Sequence, residues 1–201
     1  MSAVMIRTLV LVATVCGLLI VTAFQVTAPV IAKNKAERLR QAVLAAVPGS
    51  VRARTFELEE GFRVHAAYGK SGELTGVALE AEGMGFQETI RLLYGYSPRR
   101  QTIVGMVVLD SKETPGLGDR IEKDPVFRAN FDALDVRLSP EGELAHRITV
   151  VKPGRKENPW EIDAISGATI SSKAIGKILD VSAAALLPAL RRNLEKLEYG
   201  K

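Results

Sequence analysis

Two short segments hold the residues whose types and spacing suit chemistry. The first is Asp163-Ala164-Ile165-Ser166-Gly167-Ala168-Thr169-Ile170-Ser171-Ser172, followed at once by an apolar-periodic stretch. Small hydroxyl residues cluster where that stretch would begin a helix, so backbone N–H groups and the positive end of the helix dipole converge there. Such a terminus attracts an anion, and phosphate is the natural guest. Gly167 and Ala168 would clear space for it. A plain helix N-cap made by Ser171 or Ser172 is the simpler reading, and the two are compatible. The second segment is Glu113-Thr114-Pro115-Gly116-Leu117-Gly118. Proline fixes one φ and two glycines permit positive φ, so the backbone can turn tightly and approach a ligand closely. An ordinary surface turn has the same composition.

Other chemistries are largely excluded by the inventory. One cysteine, Cys16, and two histidines, His65 and His146, cannot make an intrachain disulfide or a Cys/His zinc or iron–sulfur site. No metal site is expected. A hydrolase using one of the clustered serines would need a base from those two histidines, and no GxSxG elbow exists; no catalytic residue is assigned. His65, on an alternating strand, and His146, at a strand start, read as surface or hydrogen-bonded residues. Trp160 reads as a core residue, and Arg99-Arg100 as a solvated turn. Of the 201 residues 47% are hydrophobic and 25% charged, which supports a packed core and excludes wholesale disorder. Only 5% are aromatic, too few for a platform that stacks single-stranded nucleic acid. The net charge of +4 is interspersed with acidic residues, so no nucleic-acid partner is expected.

The elements that must position these segments can be read from the hydrophobic pattern. Between Arg7 and Lys33 about 25 residues carry no formal charge, enough to cross the hydrocarbon layer as one helix. A secretory signal would normally have a shorter apolar core, so residues 1–33 read as a retained single-pass anchor. Residues 34–50 read as a juxtamembrane helix or linker: Leu39, Val43, Leu44 and Val47 form one stripe, and Pro48-Gly49 ends it. A bend is expected near Pro29. Residues 51–201 read as one domain. Phe62–Tyr68 alternates, Gly69–Gly72 looks like a hairpin turn into Leu74–Glu82, and Ile103–Asp110 and Arg147–Lys152 are further apolar runs. The stretch 83–101 reads as loops around a shorter strand, TIRLLYGY at residues 89–96. Ser171–Leu194 reads as helix, kinked or divided at Pro188. The class expected is α+β, with a twisted antiparallel or mixed sheet and flanking helices.

Asp163-Ala164-Ile165-Ser166-Gly167-Ala168-Thr169 resembles the flavinylation signature Asp-x-x-Ser/Thr-Gly-Ala-Thr of FMN-binding domains, and the Glu113–Gly118 loop, followed by Asp119-Arg120-Ile121, is similar to the second hallmark of that group. The two motifs, in this order and about fifty residues apart on a chain with one N-terminal anchor, resemble the RnfG family, the G subunits of Rnf ion-translocating oxidoreductase complexes. The NqrC family of sodium-pumping NADH:quinone reductases and anchored FMN-domain sensory or assembly modules are the alternatives. One departure is Gly85-Phe86-Gln87-Glu88, where the family often has a Gly-Tyr-x-Gly-Pro stretch.

The resemblance implies FMN joined covalently through its phosphate to Thr169 by a separate flavin transferase that uses FAD and Mg²⁺. It implies that Ser166 and Ser171 are second donors to the phosphate, and that the small Gly167-Ala168 pair lets the transferase and the flavin chain approach. Asp163 would serve recognition or a turn hydrogen bond, since a carboxylate beside the phosphate would repel it, and Glu113, Thr114 and Leu117 would lie beside the ring. The protein would then carry electrons, with no self-contained active site, among the other membrane subunits of an Rnf-type complex in the bacterial inner membrane. Lys33, Lys35, Arg38 and Arg40 would by simple counting keep the domain in the cytoplasm. The family places it in the periplasm, and that side is expected here.

Overall fold

Strands buried on both faces build the domain around one antiparallel sheet. The computed structural model describes residues 3–58 and 61–198. Its elements are α1 (Ala3–Ala46), β1 (Arg52–Glu57), β2 (Arg63–Tyr68), β3 (Leu74–Met84), β4 (Thr89–Ser97), β5 (Thr102–Asp110), α2 (Arg120–Lys123), α3 (Pro125–Ala129), β6 (Leu134–Asp135), β7 (Thr149–Val151), β8 (Glu161–Asp163), α4 (Thr169–Arg192) and α5 (Leu194–Glu198). The main sheet runs β1-β2-β3-β4-β5-β6, antiparallel throughout, and β7 and β8 form a separate parallel pair. This is the expected α+β class.

The chain divides into two units, Met1–Arg40 and Gln41–Lys201. In the first, α1 is apolar and long enough to cross a membrane, and its apolar window is wholly unburied. Apolar surface of that extent is stable only against lipid or another protein. Pro29 lies inside the helix. Thr14, Thr22 and Thr27 return their hydroxyl protons to carbonyls one turn back, which satisfies them without water.

In the second unit the sheet has helices on both faces. On one, Leu79, Leu92, Tyr94 and Ile103 pack with Ile175, Leu179, Ala183, Leu187 and Leu190 of α4 in one apolar cluster. On the other, the last turn of α1 and the residue after it bury Ala42, Val43, Ala46 and Val47. The backbone there comes so close that a Cβ on Gly95 would lie 2.0 Å from the Ala46 carbonyl oxygen, and one on the cross-strand partner Gly105 would lie 2.5 Å from it. Only residues without a Cβ permit that approach. Arg147 grips the carboxylate of Asp180 with its fork, and the Ile148 N–H donates to the same group at 3.0 Å, fastening the start of β7 to α4.

The strand expected within 83–101 is present as β4, which pairs with β3 along eight residues and with β5 on its other side. Several sequence expectations require correction. Pro188 does not divide α4; the break falls at Asn193, whose N–H bonds the Leu190 carbonyl. The α4 helix starts at Thr169, before either serine, and the residue at its N-cap is Ala168, which offers no side-chain cap. Trp160 is not in the core. It is half-buried and stacks on the exposed His146 ring, centroids 3.8 Å apart and planes 13° apart. His65 is buried and hydrogen-bonded as expected, between Thr55 at 2.9 Å and Glu80 at 3.2 Å.

Candidate functional site

The start of α4 and the loop after β5 meet at one hollow of about 350 Å³, within the usual range for small-ligand sites. The hollow is lined by Phe86, Glu113, Thr114, Leu117, Gly118 and residues 167–171. A Cβ on Gly167 would sit 4.0 Å from Leu117 Cδ2, which puts the two motifs in van der Waals range of each other. They are fifty residues apart in sequence. The sheet and α4 bring them together.

The helix start is left open. Ala168 N donates to Ile165 O at 3.0 Å and Ser172 N closes the first helical bond to Ala168 O at 2.9 Å. Between them the N–H groups of Thr169, Ile170 and Ser171 have no protein acceptor among the described residues. These are the orphan donors of a helix N-terminus, and an anion satisfies them. Thr169 is exposed beside them, and its hydroxyl has no partner among the described residues. Ser172 does not cap the helix. Its hydroxyl, fully buried, accepts from Ile165 N at 3.1 Å and donates to the Ala168 carbonyl at 2.9 Å, so it braces the loop from below.

The remaining expected residues sort by what they touch. Ser171 lines the hollow, but its hydroxyl donates to Glu113. Ser166 and Asp163 line a different, neighbouring hollow. The Asp163 carboxylate accepts from the N–H groups of Arg155 at 3.0 Å and Lys156 at 3.1 Å, so it organises a turn. Asn130, buried, holds the Asp163 backbone from both sides, at 3.0 Å through its N–H and 3.3 Å through its carbonyl. Arg120 donates to the Ser166 carbonyl at 2.9 Å and thereby ties the loop after β5 to the start of α4. Asn130 was not singled out by sequence, and Arg120 only as part of the loop motif, because their partners are distant along the chain.

The opposite wall is the Glu113–Gly118 loop. Only Gly116 uses a positive φ, +79°. Gly118 is glycine for another reason: a Cβ there would lie 2.7 Å from Glu113 Oε2 and 3.0 Å from Ser171 Oγ. Asp119 accepts from Gly116 N at 2.7 Å and from Lys123 Nζ at 2.6 Å. The Lys123 ammonium, foremost, and the Gly116 N–H hold the Asp119 carboxyl below its ordinary pKa. Gln87 donates its amide N–H to Thr114 Oγ1 at 2.9 Å. Phe86, Leu117 and Ile170 leave 56%, 53% and 59% of their surface exposed around the opening. Three large apolar side chains held in water on one rim form a binding surface.

Asp124 sets the base of this loop. It caps α3 by accepting from Val126 N at 3.0 Å and Phe127 N at 3.2 Å, and it receives Arg120 at 2.7 Å. The Phe127 N–H, first, and Arg120 lower its pKa from the ordinary 3.8. A carboxylate depressed in the folded state contributes stability above its unfolded pKa and loses it as pH falls through the folded one. Acid titration should therefore show an increment of stability lost below about pH 4. Asp124→Asn keeps a capping oxygen but has no proton to take up, so its loss of stability over that window should be shallower, as measured by urea unfolding at several pH values.

A nucleotide flavin needs donors for a phosphate and an apolar slot for a tricyclic ring, and both are present: three N–H groups and a hydroxyl that have no partner among the described residues, then Leu117, Ile170 and Phe86. The residues fit the group.

Comparison with known proteins agrees. The FMN-binding domain family matches residues 85–183. The G subunit of a proton-translocating ferredoxin:NAD(+) oxidoreductase complex from Clostridium ljungdahlii is 29% identical over 163 residues, covering 81% of this chain and 80% of that protein. The G subunit of an ion-translocating oxidoreductase complex from Cereibacter sphaeroides is 31% identical, covering 80% and 73%. In some other G-subunit relatives the matched part is only about half of that protein's length. Among solved structures, the C subunit of the Na(+)-translocating NADH-quinone reductase of Parabacteroides distasonis superposes with a TM-score of 0.63 at 23% identity, over 79% of this chain and 94% of that one. At that identity the likeness establishes the fold.

Proposed function

Because the chain belongs to the FMN-binding domain family that includes the G subunits of ion-translocating oxidoreductase complexes, we propose that it is a membrane-anchored, electron-carrying member of an Rnf-type complex, with FMN bound covalently at Thr169. The observation that carries this reading is the Thr169 hydroxyl beside three N–H groups, none with a partner among the described residues, at the mouth of an apolar hollow. Bound flavin would supply reversible electron transfer.

Each residue then has a task. Thr169 Oγ forms a bond to the flavin-side phosphorus of FAD on a separate Mg²⁺-dependent transferase. The pyrophosphate P–O bond breaks, AMP leaves with the bridging oxygen, and the hydroxyl proton passes to a base of the transferase. Thr169, Ile170 and Ser171 would hold the phosphate through their N–H groups and the helix dipole. Leu117, Ile170 and Phe86 would line the ring. The covalent bond prevents loss of the cofactor by dilution. The anchor confines it near the membrane subunits and raises its effective concentration there. An NqrC-like role in a sodium-pumping quinone reductase uses the same site, and relatives of both kinds match this chain.

The domain is assigned to the periplasmic side, on family resemblance, with neighbouring subunits overriding the Lys33–Arg40 charge bias. One experiment tests both parts. Full-length chain co-produced with a flavin transferase should fluoresce in a denaturing gel and gain the mass of FMN minus water. Without the transferase it should fold colourless. Proteolysis of intact spheroplasts should remove the fluorescent domain; protection until lysis would reverse the sidedness, and absence of fluorescence with active transferase would refute the attachment.

A further inference from the structure

We propose that Glu113 is a positioning residue that selects which hydroxyl at the start of α4 is loaded, an inference that rests on the proposed attachment at Thr169. Four hydroxyls lie within the seven residues Ser166–Ser172, so a transferase meets a choice. Ser172 is sealed and engaged in two bonds. Ser166 lies on the neighbouring hollow, beside Arg120. Ser171 shares the hollow with Thr169 and is the real competitor, but it is only 3% exposed and its hydroxyl proton points to Glu113 Oε2.

The same carboxyl group fixes the far wall. Glu113 is 5% exposed, and its Oε1 accepts from Phe86 N at 2.8 Å and Gln87 N at 3.1 Å. One side chain therefore joins three segments: the β3–β4 connection that carries Phe86, its own loop with Leu117, and the first turn of α4. Both its oxygens are engaged, and neither bonds Thr169. It does not act as a base toward that hydroxyl. It holds Ser171 out of reach and keeps Phe86 and Leu117 facing Thr169, so the flavin half of FAD can be seated while the threonine oxygen approaches phosphorus. Misplacement of such a wall by about 1 Å can cost on the order of a hundredfold in rate.

Glutamine at this position can reproduce the geometry. Its carbonyl oxygen accepts the two N–H groups and its amide donates to Ser171 Oγ. Alanine can do neither. The test is a loading time course on full-length chain in detergent, with purified flavin transferase, FAD and Mg²⁺. It is followed by intact mass and peptide mapping, and the anisotropy of the attached flavin is read on the product. Wild type and Glu113→Gln should load at rates within about threefold of each other, on Thr169 and with similar anisotropy. Glu113→Ala should load at least ~10-fold more slowly, with a more mobile flavin and with some mass on Ser171. Should Glu113→Ala fail to fold, Ser171→Ala serves: it cuts only the tie to α4 and should still slow loading several-fold. Loading of Glu113→Ala or Ser171→Ala at the wild-type rate would overturn the proposal, as would a Glu113→Gln chain as slow as the alanine variant, which would mean proton chemistry. If wild type itself takes up no flavin, the attachment reading fails instead.

Discussion

Thr169→Ala is expected to abolish retention of flavin through denaturation while leaving the fold intact. Thr169 is exposed and its hydroxyl has no protein partner among the described residues, so removing it breaks no internal contact. Surface changes of that kind usually stay within about 0.5 kcal/mol. The chemical loss should be complete, because no other hydroxyl of the segment is open to this hollow: Ser171 is held by Glu113, Ser172 is buried, and Ser166 lies on the neighbouring hollow. In-gel fluorescence and intact mass, with thermal unfolding of the same preparations, check both halves. Thr169→Ser should keep the attachment, since the oxygen remains. Full labelling of Thr169→Ala would show that another residue carries the flavin.

The largest expected effect on stability lies at Gly95. A methyl group there would lie 2.0 Å from the Ala46 carbonyl oxygen, and both are backbone positions that cannot swing aside. Either the end of α1 lifts from the sheet or β4 shifts between its two neighbours. Overpacking of this kind costs about 3 kcal/mol, which for a domain of this size lowers Tm by roughly 6–12 °C. Circular dichroism melts of the full-length chain in detergent would measure it. A Gly95→Ala chain melting with wild type would mean that residues 42–47 do not rest on β4 and β5 as described.

How far the sequence could have led depends on the range of each interaction. The two segments that carry Thr169 and Leu117 stand out in the sequence because their glycines and hydroxyls are local signals, and the fold brings them to one hollow. The role of Glu113 was not legible, because its partners lie 27 and 58 residues away, and nothing in the sequence near Glu113 announces them. Ser171 and Ser172 were read as caps from composition alone; the fold moved the helix start to Thr169 and turned both hydroxyls inward. Trp160 was misplaced because its stacking partner, His146, comes from a neighbouring segment. Strand β1 escaped because its residues are largely exposed and charged, as on a sheet edge. The docking of α1 did leave a trace: Gly76, Gly95 and Gly105 interrupt three apolar strands, and glycine inside a strand marks close backbone approach.

Tandem mass spectrometry of the proteolytic peptide containing residues 163–172, taken from wild-type chain matured with a flavin transferase, reaches the central claim most directly. The account requires an increment of FMN minus water located on Thr169. The same increment on Ser166 or Ser171, or an unmodified peptide from a preparation that is nevertheless yellow, would contradict it.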